Sequence, residues 1–364
     1  MPEFQPERAI ANGRTAWILK APGAGDNHQL ASLAGLIAEH HRWLGHIDPV
    51  THVLRDRILP GTVSRIPENK RAVFTPPWPE LVLIAGGRSV VDALRIRTAS
   101  GGYSRIVCIG RPWAPLHWFD LVVTTPQYQL PSGPPVFPVS LPLNLPDTSQ
   151  AEAIAPLEAW HHLPRPWVGV LLGGDSGSYR FDQAAIDDVL TALNRIQQQT
   201  DGSLLIVGSP RTPALALDQL ERKLSDPHLV HRWRPDEAPA PYPAVLKHAD
   251  RLAVTADSAS MLAEAVYSGK PVSLLPLKPR LRSRLLRSWS DLNLPGRTLK
   301  KRLIQAGYWI PARDLNLLHC QAHQHGLIQD QPWGKSDQRY AERLLFLNCE
   351  IKQLQKRITQ WFEA

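Results

Sequence analysis

The chain has 364 residues, 43% of them hydrophobic and 20% charged, enough to bury an ample core and to divide into two domains. Its 41 Lys and Arg against 33 Asp and Glu give a formal charge of +8, which favours anionic partners without naming one. The opening "MPEFQPERAIANGR" has no apolar leader region and no stretch approaches ~20 consecutive apolar residues, so the expectation is a cytoplasmic protein without a membrane-spanning helix. Cys108, Cys320 and Cys349 lie far apart without metal-ligand spacing, which speaks against a disulfide framework or a zinc site and leaves buried thiols as the expectation.

Along the chain, short apolar runs alternate with longer amphipathic segments, the pattern of βαβ units and a mostly parallel sheet. The first half offers the strands "TAWILK", "LVLIAGG", "SRIVCIG" and "DLVVTT", with helices over Gln29 to His40 and Val90 to Thr98. Between the first strand and its helix runs "KAPGAGDNHQLASLAGL", a glycine-rich turn crowded with Asp, Asn and His. The proline-rich stretch from Pro126 to Pro146 reads as a loop or linker.

A second series follows: "WVGVLLGG", a helix over Gln183 to Gln199, "SLLIVGS", a helix over Pro213 to Leu224, then "HLVHRW", "RLAVTADS" and "PVSLLPL". The expected fold is α/β, two Rossmann-like doubly wound domains facing a cleft. The first covers residues 1–150 and the second 151–330, and an amphipathic helix within 331–364 packs back on the body. Leu344, Leu347, Ile351, Leu354, Ile358 and Trp361 form its apolar stripe.

Three turns of the second series carry chemistry. "GGDSGSYRFD" combines Gly173, Gly174 and Gly177 with Asp175 and the hydroxyls of Ser176 and Ser178, ahead of a helix whose free amides and positive dipole end would face it. "SPRTP" places Ser209 and Arg211 at the end of the next strand. "VTADSASMLAEAVYSGKPV" has Asp257 or Ser258 as helix cap, Ser260 in the first turn and Glu264 four residues on, on the same face. Any one of these serves equally as a plain turn. Three at the carboxyl ends of strands in one sheet point to a phosphate-bearing ligand, because that edge is where open α/β sheets bind ligands. The first loop reads G-x-G-x-x-H and lacks the third glycine of a dinucleotide fingerprint, which argues against an oxidoreductase.

In this order and spacing, "GGDSGSYRFD", "GSPRTP" and "VTADSASMLAEAVYSGKPV", with "GAGDNHQLASLAGLIA" and "LVLIAGGRSV" before them, resemble the mitochondrial-fission Elm family, relatives of the GT-B glycosyltransferases. The last motif is also similar to the nucleotide-sugar site of the GlcNAc transferase that makes lipid II, where a glutamate five residues before a Gly-x-Pro turn holds the donor ribose. Glu264, Gly269 and Pro271 match that pattern. The chain departs from the family at Pro210, which leaves Arg211 as the one guanidinium of its turn.

The resemblance implies a GT-B glycosyltransferase that needs no metal or cofactor. A nucleotide-sugar donor would lie on Gly173, Gly174, Asp175, Ser176, Ser178, Ser209, Arg211, Asp257, Ser258, Ser260 and Glu264. A glycan or lipid-linked acceptor would meet Gly25, Asn27, Gln29, Gly87 and Arg88, with Asp26 or His28 as the catalytic base. A non-catalytic adaptor of the same fold and a nucleotide-sugar 2-epimerase remain the alternatives.

Between Lys278 and Arg302, basic residues interleave with Leu and Trp, and Asp291 is the single acid. This segment would bring the protein to an anionic membrane surface, peripheral on the inner membrane, through Arg280, Arg282, Arg284 and Arg287, or would form a solvated helix face. No nucleic-acid motif accompanies the charge, so nucleic acid is not an expected partner.

Overall fold

The computed structural model describes residues 14–45, 75–87, 89–146, 156, 158–235, 241–280, 297–329 and 339–363. It contains two compact units, and the chain passes between them more than once. Among the described residues, one comprises 14–45, 75–87, 89–144, 297–313 and 349–363, and the other comprises 145–146, 156, 158–235, 241–280, 314–329 and 339–348.

The unit holding the first half of the chain is built on β1 (Thr15–Leu19), β2 (His40–Leu44), β3 (Leu81–Ala85), β4 (Arg105–Ile109), β5 (Leu121–Thr124) and β6 (Val136–Pro138). They form one sheet in the order β2-β1-β3-β4-β5-β6, with every pairing parallel. β3 is buried along its whole length, as strands covered on both faces must be, and this explains its unbroken apolar run "LVLIA". Helices α1 (Ala24–Ile37) and α2 (Val90–Ala99) follow β1 and β3.

Helix α1 begins five residues before the expected Gln29, so Gly25, Asp26, Asn27 and His28 lie in its opening turns instead of a loop. Gly23 stands at the cap position, and Asp26 in the first turn favours the positive end of the helix dipole. The helix stops at Ile37, and His40 opens β2, a strand that its mostly exposed sequence "HHRWL" did not announce. The proline-rich stretch contributes β6 at the sheet edge, where a proline leaves no ladder hydrogen bond unmade on the outer side.

The other unit carries β7 (Trp167–Leu172), β8 (Ser203–Gly208), β9 (His228–His231), β10 (Arg251–Thr255) and β11 (Val272–Leu275). They are ordered β11-β10-β7-β8-β9 and again all parallel. Helices α3 (Gln183–Thr200), α4 (Ala214–Lys223), α5 (Pro241–His248) and α6 (Ala259–Tyr267) connect them. Asp182 caps α3 by accepting from the Ala185 amide at 3.2 Å.

Beyond β11 come α7 (Arg297–Gln305), α8 (Leu315–Gln324) and α9 (Arg339–Thr359). The predicted stripe of α9 is buried at Leu344, Leu347, Ile351, Leu354 and Ile358, and the division between the units falls within this helix, after Asn348. Its second half is tied to the first sheet's unit: Glu350 accepts from the Ser140 amide at 3.1 Å and hydroxyl at 2.8 Å, and Gln355 donates to the Leu36 carbonyl at 3.2 Å. Of the thiols, only Cys108 is buried; Cys320 and Cys349 are exposed, because each falls on a solvent-facing position of its helix. No described helix is long and apolar enough to cross a membrane.

Candidate functional site

In each sheet the strand order reverses once, and there the loops leave in opposite directions and open a crevice at the carboxyl edge. In the second sheet the reversal falls between β7 and β10, and the sequence-predicted donor residues gather there. Asp257, just beyond β10, is the hub. Its side chain is wholly buried, accepts from the Thr255 hydroxyl at 2.7 Å and the Gly174 amide at 3.0 Å, and pairs with Arg211 at 3.1 Å.

The two glycines serve this packing directly. A Cβ on Gly173 would stand 2.2 Å from the Asp257 carboxylate, and one on Gly174 would stand 1.9 Å from the Arg211 carbonyl oxygen. The Ser209 hydroxyl donates to the Gly173 carbonyl at 3.1 Å, and Thr212, unremarked in the sequence, donates from its hydroxyl to Leu172 at 2.9 Å and accepts from the Ser209 amide at 2.7 Å. The three turns are thus knitted to one another.

Ser258 caps α6, its hydroxyl accepting from the Met261 amide at 3.3 Å, and Ser260 is half-buried in the first turn. Glu264, also half-buried, accepts a hydrogen bond from the Tyr242 hydroxyl of α5. Burial, and then the Glu264 carboxylate, hold that phenol well above its usual pKa, so it acts as a neutral donor. Asp175 turns outward, accepting from the Phe181 amide at 2.7 Å and meeting Arg280 at 3.5 Å. Ser176 closes its own turn by accepting from the Tyr179 amide at 3.1 Å. The Ser178 carbonyl takes up the Arg280 amide at 2.8 Å.

In the first sheet the reversal lies between β1 and β3, and a pocket of about 200 Å³ opens beside it. Asp26, expected as a catalytic base, and Gln29 and Gly87 of the expected acceptor set line it, together with Gly86, Gly110, Arg111, Trp113, Tyr128 and Arg313, which the sequence did not single out. Asp26 is exposed as a residue, yet the pocket walls strip enough water from its carboxylate to raise its pKa, against the pull of Arg313.

Asn27 is turned to structure. Its amide bonds both the Ala21 amide, at 2.7 Å, and the Ala21 carbonyl, at 2.9 Å, clamping the β1–α1 turn. Gly25 presents its carbonyl to Asn144 at 3.1 Å. His28 is half-buried and is not among the residues lining the pocket. Arg88, and Arg282, Arg284 and Arg287 of the basic segment, lie outside the described residues. Among the described residues no cluster of His, Cys, Asp and Glu could hold a metal ion.

Two doubly wound parallel α/β domains, each with a polar crevice at the reversal of its strand order, define a Rossmann-like two-domain protein. Residues 24–303 match the family described as mitochondrial fission ELM1, and the chain belongs to that family. It is similar to mitochondrial fission protein ELM1 of Arabidopsis thaliana, 28% identical over 239 residues that make up 59% of this chain and 56% of that protein. The match therefore spans little more than half of that relative's length. An uncharacterized protein of Rickettsia prowazekii, RP120, is 21% identical over 70% of this chain and 81% of its own.

Among solved structures, a co-structure of S. aureus MnaA with UDP is similar over 89% of this chain and 100% of that chain, with 10% identity and a TM-score of 0.44. The glycosyltransferase SnogD from Streptomyces nogalater is similar over 95% of each chain, with 13% identity and a TM-score of 0.42. Acinetobacter baumannii MurG is similar over 85% of this chain and 98% of that chain, with 12% identity and a TM-score of 0.37.

Proposed function

We propose that the protein transfers a sugar from a nucleotide-sugar donor, bound where β7 and β10 part, to a glycan or lipid-linked acceptor bound by the first domain. The observation that supports this best is the convergence of the β7, β8 and β10 turns at the capped start of α6. Free amides and the helix dipole there suit a diphosphate, and Arg211, with 42% of its side chain exposed, adds a guanidinium within reach of solvent. Glu264, held by Tyr242, is the carboxylate for a ribose diol.

In the transfer, the acceptor hydroxyl gives its proton to a base as its oxygen bonds the anomeric carbon. The bond from that carbon to the diphosphate oxygen breaks, and Arg211 with the α6 terminus meets the charge that develops on the leaving group. Asp26 is the better-placed base, since it lines a pocket and its pKa is raised by burial; His28 lies on the same helix.

Thermal melts of the protein with UDP-, GDP-, ADP- and CMP-sugars test the reading. One nucleotide should raise the melting temperature, by stabilising the native state about 2.7 kcal/mol at a hundredfold excess over Kd, and Glu264→Ala should abolish the shift.

One observation favours the adaptor reading: the Gly174 amide and an Arg211 nitrogen, both suited to phosphate, are already engaged by Asp257. If no nucleotide sugar shifts the wild-type melt, the adaptor is the right account.

A further inference from the structure

The pocket of the first domain carries more positive charge than the acceptor reading required. Arg111 and Arg313 both line it and flank one phenol, their guanidinium carbons 5.7 and 5.9 Å from the Tyr128 ring centroid. Arg111 follows β4 and is half-buried, and its Nε and Nη1 are buried without a hydrogen-bond partner among the described residues. Arg313 donates its Nε to Gln127 at 3.0 Å, and no other hydrogen bond of its guanidinium is found among the described residues.

Two like charges facing one aromatic ring repel each other, and buried charged donors without acceptors are costly to a fold. An oxyanion relieves both at once, because each guanidinium can offer it two parallel N–H groups. The walls leave room for one. The ends of β3 and β4 deliver Gly86, Gly87 and Gly110 where side chains would otherwise fill the space, and a Cβ on Gly87 would stand 2.4 Å from the Trp113 ring. The opposing charge is Asp26, whose carboxylate would repel an oxyanion but accept from a hydroxyl.

We propose that this pocket binds a polyhydroxylated molecule bearing an oxyanion, the oxyanion held by Arg111 and Arg313 and a neighbouring hydroxyl by Asp26. Its oxyanion is a phosphate monoester or a carboxylate, and Trp113 and Tyr128 wall its apolar face. That this molecule is the acceptor rests on the transferase reading; that it binds here does not.

Calorimetric titration of the full chain with glucose 6-phosphate, glucuronate, glucose and inorganic phosphate tests it. Either or both anionic sugars should bind, with affinity falling as salt is added, while glucose should not. Preference between the two identifies the oxyanion. Arg111→Gln and Arg313→Gln should each weaken the bound sugar about tenfold or more, with thermal melts reporting that both variants remain folded. Asp26→Asn should weaken the anionic sugar while inorganic phosphate binds as tightly as before or more tightly, because the repelling carboxylate is gone.

The proposal is overturned if glucose binds as tightly as its phosphate, if neither anionic sugar binds, or if folded arginine variants bind them as the wild type does. Inorganic phosphate matching the sugar phosphate would remove the role given to Asp26. Glu264→Ala separates the two sites: it should abolish the nucleotide shift and leave anionic-sugar binding intact, so either reading can fail alone.

Discussion

Beyond β10, the carboxylate of Asp257 is held by a hydroxyl, an amide and a guanidinium, and the backbone of the neighbouring turn runs too close for any side chain. Gly174→Ala should therefore destabilise the chain by about 1–3 kcal/mol in urea unfolding, because backbone rather than a flexible side chain would have to move. Asp26 makes a different kind of prediction. Its folded-state pKa is raised, so the native state holds the proton more tightly than the unfolded chain, and stability falls as pH rises from the unfolded value of about 4 through the folded one. Asp26→Asn should melt higher than the wild type at pH 7 to 8, and the difference should vanish in melts below about pH 4. The glycines and Asp257 were legible as residues, but their pairing was not: each lies in its own turn, some eighty positions apart, and only the parallel register of β7 and β10 brings them together.

The elements most legible in the sequence were those whose burial is uniform. β3, β7 and β8 are buried throughout and read as unbroken apolar runs. β2 escaped notice because it is an edge strand, exposed over His40 to Trp43, so no apolar run or alternation marks it. α5 was missed for another reason: Pro241 and Pro243 suggest a break, yet both fall in the first turn, where a missing amide hydrogen costs no helical bond. The extent of α1 turned on its cap. A start at Ala24 brings Asp26 and Gln29 to the pocket wall and leaves Asn27 clamping the turn, roles that a loop over the same residues would not have assigned.

At the scale of the molecule, the chain order and the compact units part company. Residues 297–313 and 349–363 lie in the unit of the first sheet, which is thus built from segments far apart in the chain. Ending the chain at Asn348 would remove Ile351, Leu354 and Ile358, all buried, each contributing roughly 1.5–3 kcal/mol of apolar burial. Hydrogen exchange should then accelerate in α1, whose Leu36 carbonyl takes the Gln355 amide, while amides of β7 and β8 keep their protection. The return of the chain also explains why the pocket was half seen. Asp26 and Gln29 belong to a motif that local reading finds, whereas Arg313 arrives from nearly three hundred residues away and Tyr128 from a stretch read as a linker. The sequence by itself determined the class of fold, its two parallel sheets and the three polar turns of the second, because strand burial, helix periodicity and capping are written over a few neighbouring residues. Only the tertiary structure decided that Asp257 takes up the donors of two turns and that two arginines converge on one tyrosine, because such contacts depend on strand order and on chain segments that share no local pattern.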